Sequence, residues 1–322
     1  MAYRLKLKEP LAKGVRRIAG EQLGNAAARL QSPSDPEIGV HEARKSLKRT
    51  RALLRLIRPG LGDANFRKAN ARLRDIARSL SESRDRDVVR ALLAELMNAK
   101  PSVAKAARHL LEVLARAPAV ANGSGAPSHN VAEALREIDA MRREIGGIAL
   151  HPANFETIVA GLTKSHRAGR KALAQALQNP NEEETLHELR KAAQAYWRQM
   201  ILIQQAWPEA CLARAAAAKH VADLLGLDHD VALLEGALAG PEGQALTAAE
   251  RRALTRYCLA RHRELRAEAL PKAQLLFAEQ SKQLGARMRD LWSAAQRAAR
   301  AASRAPGAKN TGGEADGARR SS

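Results

Sequence analysis

The 322-residue chain carries 54 Lys and Arg against 34 Asp and Glu, a net charge of +20. An excess of this size says little about fold and points to a polyanionic partner: nucleic acid, an anionic membrane surface or polyphosphate. Aromatic residues make up only 3%, too few to build the stacking platforms on which binders of single-stranded nucleic acid rely.

No run approaches the roughly 18 apolar residues needed to span a bilayer, and no apolar segment follows the basic start MAYRLKLKEP. Membrane insertion is not expected. The two cysteines, Cys211 and Cys258, sit alone inside helical patterns, which suits a reducing compartment. A soluble cytoplasmic protein is the expectation.

Ala, Leu, Arg, Glu, Gln and Lys dominate and alternating β-branched runs are absent, so the predicted fold class is all-α. The first helix is predicted from about Pro10 to Leu30, with Lys13, Arg16 and Arg17 on it. Gln31 to Pro36 (QSPSDP) reads as a turn. Val40 to Pro59 follows as an amphipathic helix whose core stripe is Ala43, Leu47, Thr50, Leu54 and Ile57. Beside it His41, Arg44, Lys48, Arg51 and Arg55 form a second stripe of one sign, roughly 80° wide. Like charges at i,i+4 destabilise a helix, so this stripe needs a neutralising partner.

The third predicted helix, about Asp63 to Leu80, sets Phe66, Leu73, Ile76 and Leu80 on one face and Arg67, Arg74 and Arg78 on another. Ser81 to Val88 breaks and restarts the chain into helices reaching about Met97 and then spanning Pro101 to Arg116. Pro118 to Ser128 reads as a linker, followed by a helix over Val131 to Ile145. Six more helices are predicted: about Pro152 to Leu177, Glu182 to Gln205, Pro208 to Leu225, Asp228 to Leu238, Ala248 to Glu268 and Pro271 to Ala299. The tail after Ser303 has no core-forming residues and reads as disordered.

An internal repeat organises these elements. His41-Glu42-Ala43-Arg44-Lys45 returns as His187-Glu188-Leu189-Arg190-Lys191, offset by 146 residues (41 to 187). Asp85-Arg86-Asp87-Val88 returns as Asp228-His229-Asp230-Val231, offset by 143 (85 to 228). Each histidine is preceded by a helix bearing a basic cluster, Lys13-Arg16-Arg17 or Arg167-Arg170-Lys171. The pattern reads as duplication of a four-helix unit. It divides the chain into a first repeat over 1–117, a linker and connecting helix over 118–150, a second repeat over 151–302 and a tail over 303–322. Two such bundles about a pseudo-two-fold axis bring their basic faces together around one central cavity.

The repeated His-Glu-x-Arg-Lys, the basic helix and the repeated Asp-x-Asp-Val resemble the CHAD family, the conserved histidine α-helical domain, from about Leu11 to Trp292. The resemblance implies two four-helix bundles around a basic cavity that binds inorganic polyphosphate, and association with polyphosphate granules. Carried onto this sequence, it implies His41 and His187 as the family's histidines, with Arg44, Lys45, Lys48, Arg51, Arg190 and Lys191 as basic ligands. The second copy departs from the first where Gln194 stands opposite Lys48 and Trp197 opposite Arg51, although Arg198 adjoins. No Glu-x-Glu-x-Lys motif of the CYTH triphosphatase domain, found in some members, is present.

Polyphosphate offers charge and no bases, so density of Arg and Lys is what recognition needs. The candidate binding residues are His41, Arg44, Lys45, Lys48, Arg51, Arg55, His187, Arg190, Lys191 and Arg198, with Lys13, Arg16, Arg17, Arg170, Arg74 and Arg78 as further contributors. Neither a cofactor nor a catalytic role is expected, and the Asp pairs read as groups that cap helices and hold basic side chains. Two other classes stay open: a nucleic-acid-binding protein, which could also compete for the ligand, and a metal-dependent phosphohydrolase built on those Asp pairs.

Overall fold

A computed structural model describes residues 3–31, 36–80, 84–116 and 127–304. All regular structure among these residues is helical. The helices are α1 (Leu11–Gln31), α2 (Pro36–Leu61), α3 (Asp63–Ser79), α4 (Arg84–Ala99), α5 (Pro101–Arg116), α6 (Pro127–Gly146), α7 (Phe155–Gln178), α8 (Glu183–Leu202), α9 (Pro208–Ala239), α10 (Pro241–Gln244), α11 (Ala248–Leu276) and α12 (Ser281–Arg304), with one 3-10 turn at Gln204–Ala206. None of them is long and apolar enough to cross a membrane.

The apolar periodicities become the core. Ala43, Leu47, Thr50, Leu54 and Ile57 of α2 are all fully buried, and Phe66, Leu73, Ile76 and Leu80 lie inside beside α3. Leu53 and Leu56 are buried as well, so α2 is covered on more sides than a surface helix. It packs on α1, α3, α7 and α8. The crossing with α7 is close: a Cβ added at Gly161 would lie 1.8 Å from the Leu56 carbonyl oxygen. Only glycine allows these two backbones to touch.

Local signals set the helix ends. Asn154 caps α7 by accepting the Glu156 amide, and Thr247 and Glu250 form a reciprocal capping box at α11. Gly62, at φ +84°, makes the turn from α2 into α3.

Two predicted breaks do not occur. The helix over Pro208 to Leu225 does not stop before Asp228; α9 runs unbroken for 32 residues, about 48 Å. Gly226 weakens a helix by only about 1 kcal/mol, and α4, α8, α10 and α11 all pack on α9 and hold it together. Likewise α11 runs through Pro271. Buried Ala269 and Ala273 anchor the chain on either side, and packing outweighs the hydrogen bond that proline removes. The break falls instead after Leu276, and α12 begins at Ser281. Pro127 and Ser128, read as linker, already belong to α6. The rest of the linker, most of the 31–36 turn, the 81–83 restart and the tail beyond Arg304 lie outside the described residues.

Neighbours in space do not follow chain order. α6 packs on α1 and α3, whereas α4 packs on α9 and α5 on α11. Cys211 and Cys258 are free thiols buried in the core, and burial pushes the Cys258 thiol up to about 12.

Candidate phosphate-binding cleft

The basic stripe of α2 is held by core residues immediately beside it. Because Leu47, Thr50, Leu54 and Ile57 are buried, the stripe one step around the helix faces a cleft of about 640 Å³. Arg44, Lys48, Arg51 and Arg55 line it from α2, Arg74 and Arg78 from α3, and Arg190, Lys191 and Arg198 from α8. These nine basic side chains meet two carboxylates, Asp85 of α4 and Asp230 of α9. His187 and His229 also line the cleft, which contains no Phe, Tyr or Trp.

Several of these cations are fixed in place. Arg44 Nη1 donates to the Ala77 carbonyl at 3.2 Å, and Arg51 Nε donates to Asn70 Oδ1 at 3.0 Å. Arg198 is only 7% exposed. Its Nη1 donates to the Gln194 carbonyl at 2.7 Å, and its guanidinium stacks 4.2 Å from the centre of the Trp197 ring. The tryptophan that replaces a basic residue in the second copy therefore serves as a platform for the arginine beside it.

Crowding leaves an electrostatic mark. Burial, followed by the positive charges of Arg55 and Arg74, brings Arg51 down to about 10. Burial, with Arg49 and Arg55 adding to it, brings Arg198 to about 10 as well. Burial also lowers Arg55, against the pull of Glu188. All three guanidinium groups stay charged at neutral pH, and each cation raises the cost of its neighbours. The His187 ring lies 5.9 Å from that of His229. Burial, then Lys191 and His229, push His187 below the ordinary histidine range.

Other predicted residues lie elsewhere. His41 and Lys45 are exposed and outside the cleft lining, and Lys45 pairs with Glu42 at 2.7 Å. On α1, Arg17 pairs with Glu9 at 2.7 Å and Glu21 at 3.6 Å, Arg16 bonds the Ala12 carbonyl, and Lys13 is exposed. Arg170 lines a different groove, between α7 and α12.

The two Asp pairs have separate fates. Asp228 is buried and bound to His262 Nδ1 at 2.7 Å and Arg266 Nε at 2.8 Å, tying α9 to α11. Burial alone would raise its carboxyl, but these hydrogen bonds outweigh that and hold it below the usual value. It anchors a basic side chain, as the pattern suggests, from the middle of a helix rather than from a cap. Asp230 and His229, the next residues along, reach the cleft, as does Asp85 in the first copy. His229 is not among the candidate residues drawn from the sequence; its place inside the repeated Asp-x-Asp is the signal that points to it.

No curated protein matches the chain. A solved structure, PptA from Streptomyces chartreusis, superposes with a TM-score of 0.53 at 15% identity, covering 85% of this chain and 100% of that one. That likeness is one of fold. The family model of the CHAD domain matches residues 16–239, which takes in α2, α8 and every residue lining the cleft. With more than half of its length matched, the chain belongs to the CHAD family.

Proposed function

We propose that this protein binds inorganic polyphosphate in the cleft between α2 and α8, without acting on it chemically. The observation that carries the reading is the convergence of nine basic side chains, from three helices, on one aromatic-free cleft. Guanidinium groups already oriented by Ala77, Asn70 and Trp197 lose little freedom on taking phosphate oxygens. The absence of stacking surfaces in the lining suits a ligand made of charge alone. Membership of a family known for polyphosphate binding supports the same ligand. On this reading the protein is recruited to polyphosphate granules.

A non-catalytic role is supported by the balance of the lining, nine basic side chains against the carboxylates of Asp85 and Asp230, while Asp228 is engaged with His262 and Arg266 and is not presented to the cleft. The test is a titration with long-chain polyphosphate over a salt series, with duplex DNA as competitor. Polyphosphate should displace DNA, and DNA should not displace polyphosphate. The reverse order would favour a nucleic-acid partner, and release of phosphate in the presence of Mg²⁺ or Mn²⁺ would favour an enzyme.

A further inference from the structure

A second concentration of positive charge lies away from the cleft and shares no lining residue with it. Arg167, Arg170 and Lys171 of α7 face Gln280, Lys282 and Gln283 at the start of α12 across a groove of about 690 Å³. No carboxylate lines this groove. The adjoining groove shares Arg167 and Lys282 and adds Lys164 and Arg289. Lys164, Arg167 and Lys171 follow an i, i+3, i+7 spacing, so they form one row of about 10 Å along α7.

The fold brings these charges together at a cost. Gly169 lies inside the cluster, where a Cβ would meet the Phe277 ring at 2.4 Å, so glycine is what lets α7 close on the α11–α12 corner. His166 reinforces that corner through Nδ1, 2.9 Å from Ser281 Oγ. Arg170 is drawn onto the Gln280 side chain. The first turn of α12 holds no acidic residue and carries Lys282. A cation at the positive end of a helix is unfavourable, and the first-turn amides lack an intrahelical acceptor. Among the described residues Arg167, Lys171 and Lys282 form no ion pair, whereas Lys164 and Arg289 are matched by Asp63 and Glu156. The charge left over sits where α7 and the α12 terminus converge.

We propose that the α7–α12 groove is a second anion site, separate from the cleft, which takes a short run of phosphate groups. The row along α7 suits a chain rather than one isolated phosphate, and the α12 amides suit its terminal group. No ring lines the groove, so a bare phosphate chain fits better than a nucleic acid.

Calorimetric titration with tripolyphosphate separates this site from the cleft. The wild-type chain should take two equivalents. The triple change Arg167→Gln, Lys171→Gln and Lys282→Gln should remove one site, or weaken it at least tenfold, and leave the other. The cleft triple Arg44→Gln, Lys48→Gln and Arg51→Gln should do the converse. If the groove triple leaves the isotherm unchanged, the groove proposal falls and the cleft stands. If the cleft triple abolishes all binding, the groove is not an independent site and the proposal falls. If the cleft triple changes nothing and the groove triple removes binding, the cleft reading fails and the groove stands. Gln283→Glu gives a second check, because it supplies the missing anion in the first turn of α12. It should raise the melting temperature without ligand and weaken groove binding; full retention of both sites would overturn the proposal. Equal losses from Arg251→Gln, Arg252→Gln and Arg256→Gln on α11 would do so too, by showing that binding follows net charge.

Discussion

The same motif opens α2 and α8, yet the two helices present it differently to the cleft. On α2 the histidine and the following lysine, His41 and Lys45, face away, and the next three turns supply Lys48, Arg51 and Arg55. On α8 the corresponding His187 and Lys191 line the cleft, and the later positions turn neutral or apolar at Gln194, Trp197 and Ile201. One wall spreads its charge along the body of the helix; the other sets it at the start, with Arg198 alone further along. The difference teaches that a duplicated motif need not duplicate a site. Rotation of each helix against its own core decides which members of the motif reach the cleft.

The Asp pairs carry this asymmetry furthest. Asp228→Asn should cost about 3 kcal/mol of stability, since it removes the buried charge that His262 and Arg266 share and leaves them only Glu235 and Asn181, while Asp85→Asn should leave stability unchanged and tighten anion binding slightly. Urea unfolding of both variants measures this; equal midpoints would mean that the two copies are used alike. Because the Asp228 pKa is depressed, its contribution is present above the unfolded-state carboxylate pKa and is lost as pH falls through the folded value.

On the α2 wall, changing Arg44, Lys48 and Arg51 together to Gln should weaken polyphosphate binding by about 100-fold, roughly 2.7 kcal/mol. The dependence of log affinity on log salt should become shallower as fewer counterions are released. The equivalent change of Lys105, Arg108 and Arg116 on α5 should do far less. Arg190→Gln with Lys191→Gln on the α8 wall should cost only about tenfold. An α8 loss as large as the α2 loss, in the same titration, would erase the contrast between the walls.

The histidines sharpen it further. Burial, then Lys191 and His229, push His187 below the ordinary histidine range, and a polyanion beside it favours the charged ring. Binding therefore takes up protons. The added affinity is fully present below the free-state pKa and fades as pH rises through the bound-state one. Affinity should rise roughly fivefold from pH 8 to 5.5 at constant ionic strength. His187→Asn should flatten that profile and His41→Asn should not. The smallest effect belongs to Lys45, an exposed partner of Glu42: Lys45→Gln should change affinity by less than about twofold.

Much of this was legible in the chain. The period of 3.6 marked the α2 core stripe, and the charge of one sign beside it marked the side that meets the cleft. The repeat pointed to α8 as the opposing wall. What could not be read depends on neighbours distant in sequence. Arg17 resembles Arg44 until Glu9 and Glu21 are seen to hold it. Asp228 resembles Asp85 until His262 and Arg266 arrive from α11. The first copy has Ser81-Glu82-Ser83 shortly before its motif, whereas the second has Leu225-Gly226-Leu227, and helices on several sides keep α9 whole.

The crowding of the cleft has a consequence for the lifetime of the protein itself. Nine cations held around one small space repel one another, so the unliganded fold carries a strain that a polyanion relieves. For a chain that binds polyphosphate there, a ligand concentration one hundred times the Kd adds about 2.7 kcal/mol to folding stability, a large share of what holds an ordinary domain together. On the proposed function, the folded state is favoured where phosphate chains are plentiful and loses that support where they are scarce.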